Sequence, residues 1–221
     1  MPFQILEKTD SRWVAIWQIT ETTSFFEKQL PKEDKEYVNS KYSVASSNEK
    51  LQKKQEEKKL ERLAVRLLVK NLVEKLHLDY TFLDKTSTGK PFLSRNKSLK
   101  LSISHDFPFC AAIIDLNNEV GIDIQSLTPK ISRVFHRVMS ESEQQNAKDL
   151  ELQTLFWSAK EALYKYADEE GLFFKEDLNV KLDTENNLLG KIKHPLFSNK
   201  WLPLSHHTFE HQNRSFILVW L

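Results

Sequence analysis

Between Leu152 and Asp168 the chain holds neither glycine nor proline, and its apolar residues recur at helical spacing. At 100° per residue, Leu152, Leu155, Phe156, Ala159, Leu163 and Tyr166 share one face. That face predicts burial, so the rest of the chain has to supply a surface to receive it. The opposite face carries Trp157, Glu161, Tyr164, Lys165 and Asp168. Two large aromatics beside a carboxylate and an ammonium group are unusual on a face that would ordinarily be wet. Glu161 and Lys165 are i,i+4 neighbours in the favourable order, and a solvated face with one weak ion pair also accounts for them. Gly171 is expected to end this helix.

The partners for that face are sought along the chain. Arg12 to Ile19 reads as a central strand, apolar on both sides. Thr23 to Leu30 reads as a short helix, with Ser24 as the candidate cap and Pro31 after it. Lys32 to Ser47 shows no clear pattern. Glu49 to Leu76 is helical: a polar first half, then a core stripe of Leu60, Leu63, Ala64, Leu67, Leu68, Leu72 and Leu76. The charge run is a solvated face unless one or two of Lys58, Lys59, Arg62 and Arg66 point at an anion. Thr86 to Pro91 is a turn. Leu99–Ser104, Phe109–Leu116 and Val120–Gln125 read as three strands of an antiparallel meander, with Asn117-Asn118 as a hairpin turn. Thr128-Pro129 closes it. Ser140 and Glu143 form a capping box. Two more hairpins follow, Val180–Leu182 with Leu188–Ile192, and Ser205–Glu210 with Phe216–Leu221. The expectation is an α+β fold in two halves, 1–127 and 128–221, that share an interface.

Several classes are excluded. The chain has four glycines, too few and too scattered for a Gly-rich phosphate loop, so Rossmann and P-loop nucleotide binding are not expected. A net charge of +1 over 221 residues gives no global basic field for nucleic acid. Cys110 is the single cysteine, so no intrachain disulfide forms, and its apolar surroundings predict a buried, inert thiol. No apolar run of about 18 residues occurs, and the N-terminus lacks a basic segment followed by an apolar one. A cytoplasmic, non-membrane protein is expected.

Gly121-Ile122-Asp123-Ile124-Gln125 carries chemistry. In a strand, Ile122 and Ile124 go to the core, and Asp123 and Gln125 share the other face. Gly121 removes a side chain where something approaches closely. Glu161 supplies a second carboxylate. One Asp, one Glu and an amide oxygen make a hard, oxygen-only set, and Mg2+ takes one or two carboxylates, completing its shell with water and substrate phosphate. Ser104 and His105 at a strand end, and Lys90 in a turn, add polar and cationic groups. His206 and His207 are adjacent in a strand and point to opposite faces, so joint ligation is not expected; neither they nor His211 receive a role.

Val120-Gly121-Ile122-Asp123, followed by Phe156-Trp157-Ser158-Ala159-Lys160-Glu161-Ala162-Leu163-Tyr164-Lys165, resembles the paired signature of the 4'-phosphopantetheinyl transferases. The spacing is similar to the longer, single-chain, surfactin-synthetase-activating type rather than the short trimeric holo-acyl-carrier-protein synthases. Gly89-Lys90-Pro91, Ser102-Ile103-Ser104-His105, Arg133 to Glu143 and the helix Leu60 to Leu72 with Arg66 match in the same order. The resemblance covers roughly residues 55 to 170.

It implies two similar α+β halves, each a small antiparallel sheet packed with helices, with the active site in the cleft between them. It implies that Asp123 and Glu161 hold Mg2+ against the pyrophosphate of coenzyme A, with Lys165 pairing with the same phosphates. Lys90, Ser104 and His105 would hold the nucleotide end, His105 reaching the 3'-phosphate, with Arg66 assisting. The implied partner is an acyl or peptidyl carrier protein, usually acidic, and a monomer is expected. Candidate surfaces for it are the aromatics of Lys32 to Val44 and the loop after Thr128. One place departs from the pattern: family members often carry a carboxylate where Gln125 stands. Gln125 would ligate the metal only through a neutral oxygen, which lowers metal affinity and keeps open a relative that binds coenzyme A or carrier protein without transfer.

Overall fold

The RWVAIWQ run forms a strand, Arg12–Gln18 (β2), buried from Trp13 to Trp17. In the computed structural model, which describes residues 3–42 and 48–221, this strand is central. It lies between β1 (Phe3–Lys8) and β6 (Phe109–Asp115), and β5 (Lys100–Asp106) completes an antiparallel sheet ordered β1-β2-β6-β5. Rows of cross-strand partners run Trp13, Ile114, Leu101 and then Trp17, Cys110, His105. These rows face α3 (Glu49–Lys75), whose Leu63, Ala64, Leu67, Leu68 and Leu72 fill the core against them. The predicted stripe is right but too narrow, because Val65, Val69 and Val73 are buried as well. Helices α1 (Thr23–Gln29) and α2 (Lys32–Lys41) pack on α3, and so cover those valines' side of it. A short hairpin, β3 (Leu83–Lys85) with β4 (Pro91–Leu93), carries the Thr86–Lys90 turn, which Gly89 closes with φ +90°.

Three local expectations change here. Helix α1 begins at Thr23 behind Thr22, so Ser24 lies inside it and is no cap. The unpatterned stretch from Lys32 contains α2. Its Tyr37, and Tyr42 just after it, are half-buried on the core rather than displayed, while Val44 lies outside the described residues.

The larger correction concerns the meander. β5 and β6 pair as expected, but β7 (Ile122–Ser126) does not pair with β6. It pairs antiparallel with β12 (Arg214–Trp220), Val219 opposite Asp123 and Ile217 opposite Gln125. The Asn117-Asn118 signal is real but local. Asp115 Oδ1 accepts from the backbone N–H of both asparagines, at 2.8 and 3.0 Å, and its Oδ2 accepts from Arg12 Nε at 2.9 Å. That turn directs the chain out of the sheet. The chain accordingly divides into two compact units, Met1–Asn118 and Glu119–Leu221, and β7 falls in the second.

In the second unit, α4 (Pro129–Val138), α5 (Glu141–Asn146) and α6 (Leu150–Ala167) follow β7. Two three-stranded antiparallel sheets complete it. One is β11 (Ser205–His211), β12 and β7; the other is β10 (Leu202–Pro203), β9 (Leu188–Ile192) and β8 (Leu178–Leu182). Helix α6 packs on strands of both sheets, and Leu155, Phe156, Ala159 and Leu163 meet Ile217, Val219, Val180 and Leu188 in one core. It starts behind Asp149, whose Oδ1 accepts from Leu152 N at 2.8 Å. It ends not at Gly171 but at Asp168, which takes the left-handed conformation at φ 52°, one that Asp tolerates better than most residues. The Ser140–Glu143 capping box forms with both of its bonds. The fold is α+β, with small antiparallel sheets and six helices among the described residues. None of those helices is long and apolar enough to cross a membrane.

Candidate active site

Cross-strand partners lie on the same face of a sheet. Asp123 and Gln125 therefore share the side of Ile217 and Val219, the side on which α6 packs. Ile122 and Ile124 are buried on the other side. What comes close to Gly121 is the helix itself: a Cβ there would lie 2.0 Å from the carbonyl oxygen of Ala162 and 2.9 Å from the amide nitrogen of Tyr166. The missing side chain admits backbone, not ligand, and it brings Asp123 against the next turns of α6.

Three α6 side chains meet it there. Ser158 Oγ donates to Asp123 Oδ2 at 3.0 Å and lies 3.2 Å from its carbonyl oxygen. Lys165 Nζ donates to Asp123 Oδ1 at 2.7 Å and to the Ile122 carbonyl oxygen at 2.9 Å. Glu161 lies close enough to feel both charges. Burial first, then repulsion from Asp123, push its carboxyl up to about 7, and Lys165 pulls it partly back. Ser158, Glu161 and Lys165 are spaced i, i+3, i+7, one stripe of a helix. That spacing was present in the sequence and would have identified Ser158. Of the aromatics on the same side, Trp157 is half-buried and Tyr164 is exposed. Phe174 packs beside both, its ring centroid 6.0 Å from Trp157 and 5.4 Å from Tyr164.

Lys160, next to Glu161, is 0% exposed. Its ammonium bonds to Glu143 Oε2 at 2.8 Å and to the carbonyl oxygens of Val138 and Phe174 at 2.9 and 2.7 Å. Burial pulls its pKa down, against the opposing effect of Glu143. Glu143 also accepts from Ser140 N at 2.7 Å and from Val180 N at 2.8 Å. This buried pair ties α5, α6 and β8 together and fixes the rotation of the helix that bears Glu161. No periodicity argument exposes it, since lysine at a core position reads as an interruption.

The donor set fits a divalent cation. Two carboxylates in mutual repulsion, one with its proton held to about pH 7, gain from a cation between them. Oxygen ligands suit Mg2+, which needs only one or two carboxylates. Gln125 is half-buried on the same face, two residues along. Among the described residues no larger cluster of His, Cys, Asp and Glu gathers as a metal site.

The remaining expected residues lie in the first unit. Ser104 and His105 are adjacent in β5 and so face opposite sides. His105 faces α3, with Nδ1 3.2 Å from Glu61 Oε2, and Ser104 is buried on the other face. Lys90 closes the β3–β4 turn, its backbone N–H donating to Thr86 Oγ1 at 3.0 Å. Arg66 is buried. It bonds to Asp34 Oδ1 and, at 2.6 Å, to the Leu83 carbonyl oxygen, and its guanidinium lies 4.5 Å over the Tyr37 ring. Tyr80 donates to the other Asp34 oxygen at 2.8 Å. Burial raises the Asp34 carboxyl, outweighing Arg66 and Tyr80. Arg66 with Arg62, Lys41, Lys85, Tyr37 and Tyr42 lines a cavity of about 300 Å³, which reaches Pro91 and Ile103. Cys110 is fully buried with its thiol pKa raised, as expected of an inert cysteine.

Asp123, Glu161 and Lys165 thus gather on a strand and a helix whose backbones touch. Residues 119–217, nearly the whole second unit and including Asp123, Ser158, Glu161 and Lys165, match the family model of the 4'-phosphopantetheinyl transferase superfamily. No curated protein matches the chain.

Proposed function

We propose that the protein transfers the 4'-phosphopantetheine arm of coenzyme A to a serine of an acyl or peptidyl carrier protein and releases adenosine 3',5'-bisphosphate, as a transferase of the single-chain, two-half type. The observation that carries this reading is the grouping of Asp123, Glu161 and Lys165 within the segment that matches the superfamily. Asp123 and Glu161 would hold Mg2+, which when bound neutralises the pyrophosphate and polarises the phosphorus under attack. Ser158 orients Asp123 by holding Oδ2. Lys165 offsets charge on the leaving phosphate. Glu161, or water held by the metal, would take the proton of the carrier's serine. Lys90, Ser104 and His105 would hold the nucleotide end, with Arg66 assisting from the wall of the first unit's cavity.

The carrier would dock on α4, which replaces the loop expected after Thr128. Lys130, Arg133, His136 and Arg137 are exposed around Val134, and Pro129–Val138 contains no acidic residue. Such a face suits an acidic partner. Incubation with coenzyme A, Mg2+ and an apo carrier protein, followed by weighing the carrier, tests the proposal: it should gain one phosphopantetheine. Gln125 favours a second reading, in which coenzyme A binds and the carrier mass stays unchanged. Binding of neither overturns both.

A further inference from the structure

The stripe that carries Glu161 already contains a cation. Lys165 Nζ lies 2.7 Å from Asp123 Oδ1 and 2.9 Å from the Ile122 carbonyl oxygen, and its charge also acts on Glu161. One positive charge thus sits in the field of two carboxylates, at the place where the reading above puts a divalent ion. The remaining Asp123 oxygen is held by Ser158. Mg2+ sits about 2.0–2.1 Å from its oxygen ligands. An ammonium bonded to the same oxygen would then be pressed against a like charge in a half-buried site, where repulsion is poorly screened.

We propose that Lys165 is the resident counter-cation of this site, and that it and a divalent ion alternate at Asp123 Oδ1. Uptake of the ion releases the ammonium, which then becomes available to a substrate phosphate; without the ion, Lys165 stays committed to the strand. The inference rests on the reading of Asp123 and Glu161 as metal ligands. The parts suit an exchange. The Lys165 side chain is 27% exposed and has a flexible four-carbon stem, so its head can swing out without repacking the core. Ser158 is fully buried and grips the oxygen that Lys165 does not use. Asp123 therefore keeps its orientation while the cation on Oδ1 changes. Lys160, by contrast, is locked to Glu143 and two carbonyl oxygens and cannot take part.

Two measurements on the full-length protein test this, neither of them activity. The first is binding of Mn2+ alone, followed by the spectrum of the free ion. Lys165→Met should bind about tenfold tighter than the unsubstituted protein, as removal of a competing unit charge requires. The second is the side-chain ammonium resonance of Lys165, assigned by its absence in Lys165→Met. It should be protected in the metal-free protein and should take on the rapid exchange of a solvated lysine when Mg2+ saturates the site. Equal or weaker Mn2+ binding by Lys165→Met overturns the exchange while leaving the metal reading standing. So does a Lys165 resonance that stays protected at saturating Mg2+, since ion and ammonium would then share the carboxylate. No Mn2+ uptake by either protein overturns the exchange and the metal reading together.

Discussion

Glu161 is half-buried beside Asp123, and both circumstances disfavour its ionised form, so its proton is held to about pH 7 in the folded chain against 4.5 in a solvated one. Below the lower value both states are protonated and the residue is neutral toward folding. As pH rises from there through 7, the folded state increasingly pays for a charge that the unfolded state carries freely. Glu161→Gln, which cannot ionise, should therefore match the parent in metal-free thermal melts at pH 4 and exceed it above pH 7, by about 2 kcal/mol. Equal stability at both pH values would show that the carboxylate is solvated. The same substitution should abolish transfer to a carrier, because an amide neither takes the serine proton nor matches a carboxylate as ligand. Asp123, Glu161 and Lys165 were singled out through the resemblance, since on spacing alone a solvated face with one weak ion pair accounts for the helix residues as well. Ser158 was not singled out, because a serine between aromatics and a lysine reads as filler until its stripe is traced.

At the scale of elements, the β7–α6 contact and the Lys160–Glu143 pair decide whether those side chains meet. Gly121→Ala would drive a methyl into the Ala162 carbonyl, and no flexible side chain is there to yield. The expected cost is roughly 3 kcal/mol or more, read as a lowered thermal midpoint, with weaker Mn2+ binding in whatever remains folded. Lys160→Met leaves Glu143 buried without its counter-charge and should cost on the order of 3–5 kcal/mol. Adding Glu143→Gln should recover part of that loss, since it removes the unpaired charge, although its single amide oxygen can accept from only one of Ser140 and Val180. Strands and helices with strong periodicity were readable here: β2, α3, α6 and the two C-terminal hairpins stand where their patterns put them. Helices α2 and α4 were not. Both carry charged residues on most of their surface, and only a few buried side chains, such as Val38, Ile131 and Phe135, hold them down.

For the whole molecule, the proposed transfer needs a surface that receives the acceptor, and α4 offers one. Arg133→Glu with Arg137→Glu should leave coenzyme A affinity unchanged and lower kcat/KM for an acidic carrier by about tenfold or more, an effect that shrinks as salt is added. Unchanged carrier kinetics would move the docking surface elsewhere. The sequence pointed to two parts but set their boundary at Thr128, because Val120–Gln125 has the composition of a strand that could continue the meander. Nothing local to that strand announces its partner. The choice of β12 over β6 is made by a pairing nearly a hundred residues distant, which short-range patterning does not encode.

The missing methyl at Gly121 has one more consequence. Where two main chains touch, the gap between them is set by atoms that every residue type shares. The distance from Asp123 to the Glu161 stripe is thus gauged by the polypeptide itself, a fixed stop rather than a cushion of interchangeable packing groups. Substitutions in the surrounding oil can accumulate without widening it, and Asp123 can stay opposed to that stripe while nearly everything else about the domain drifts.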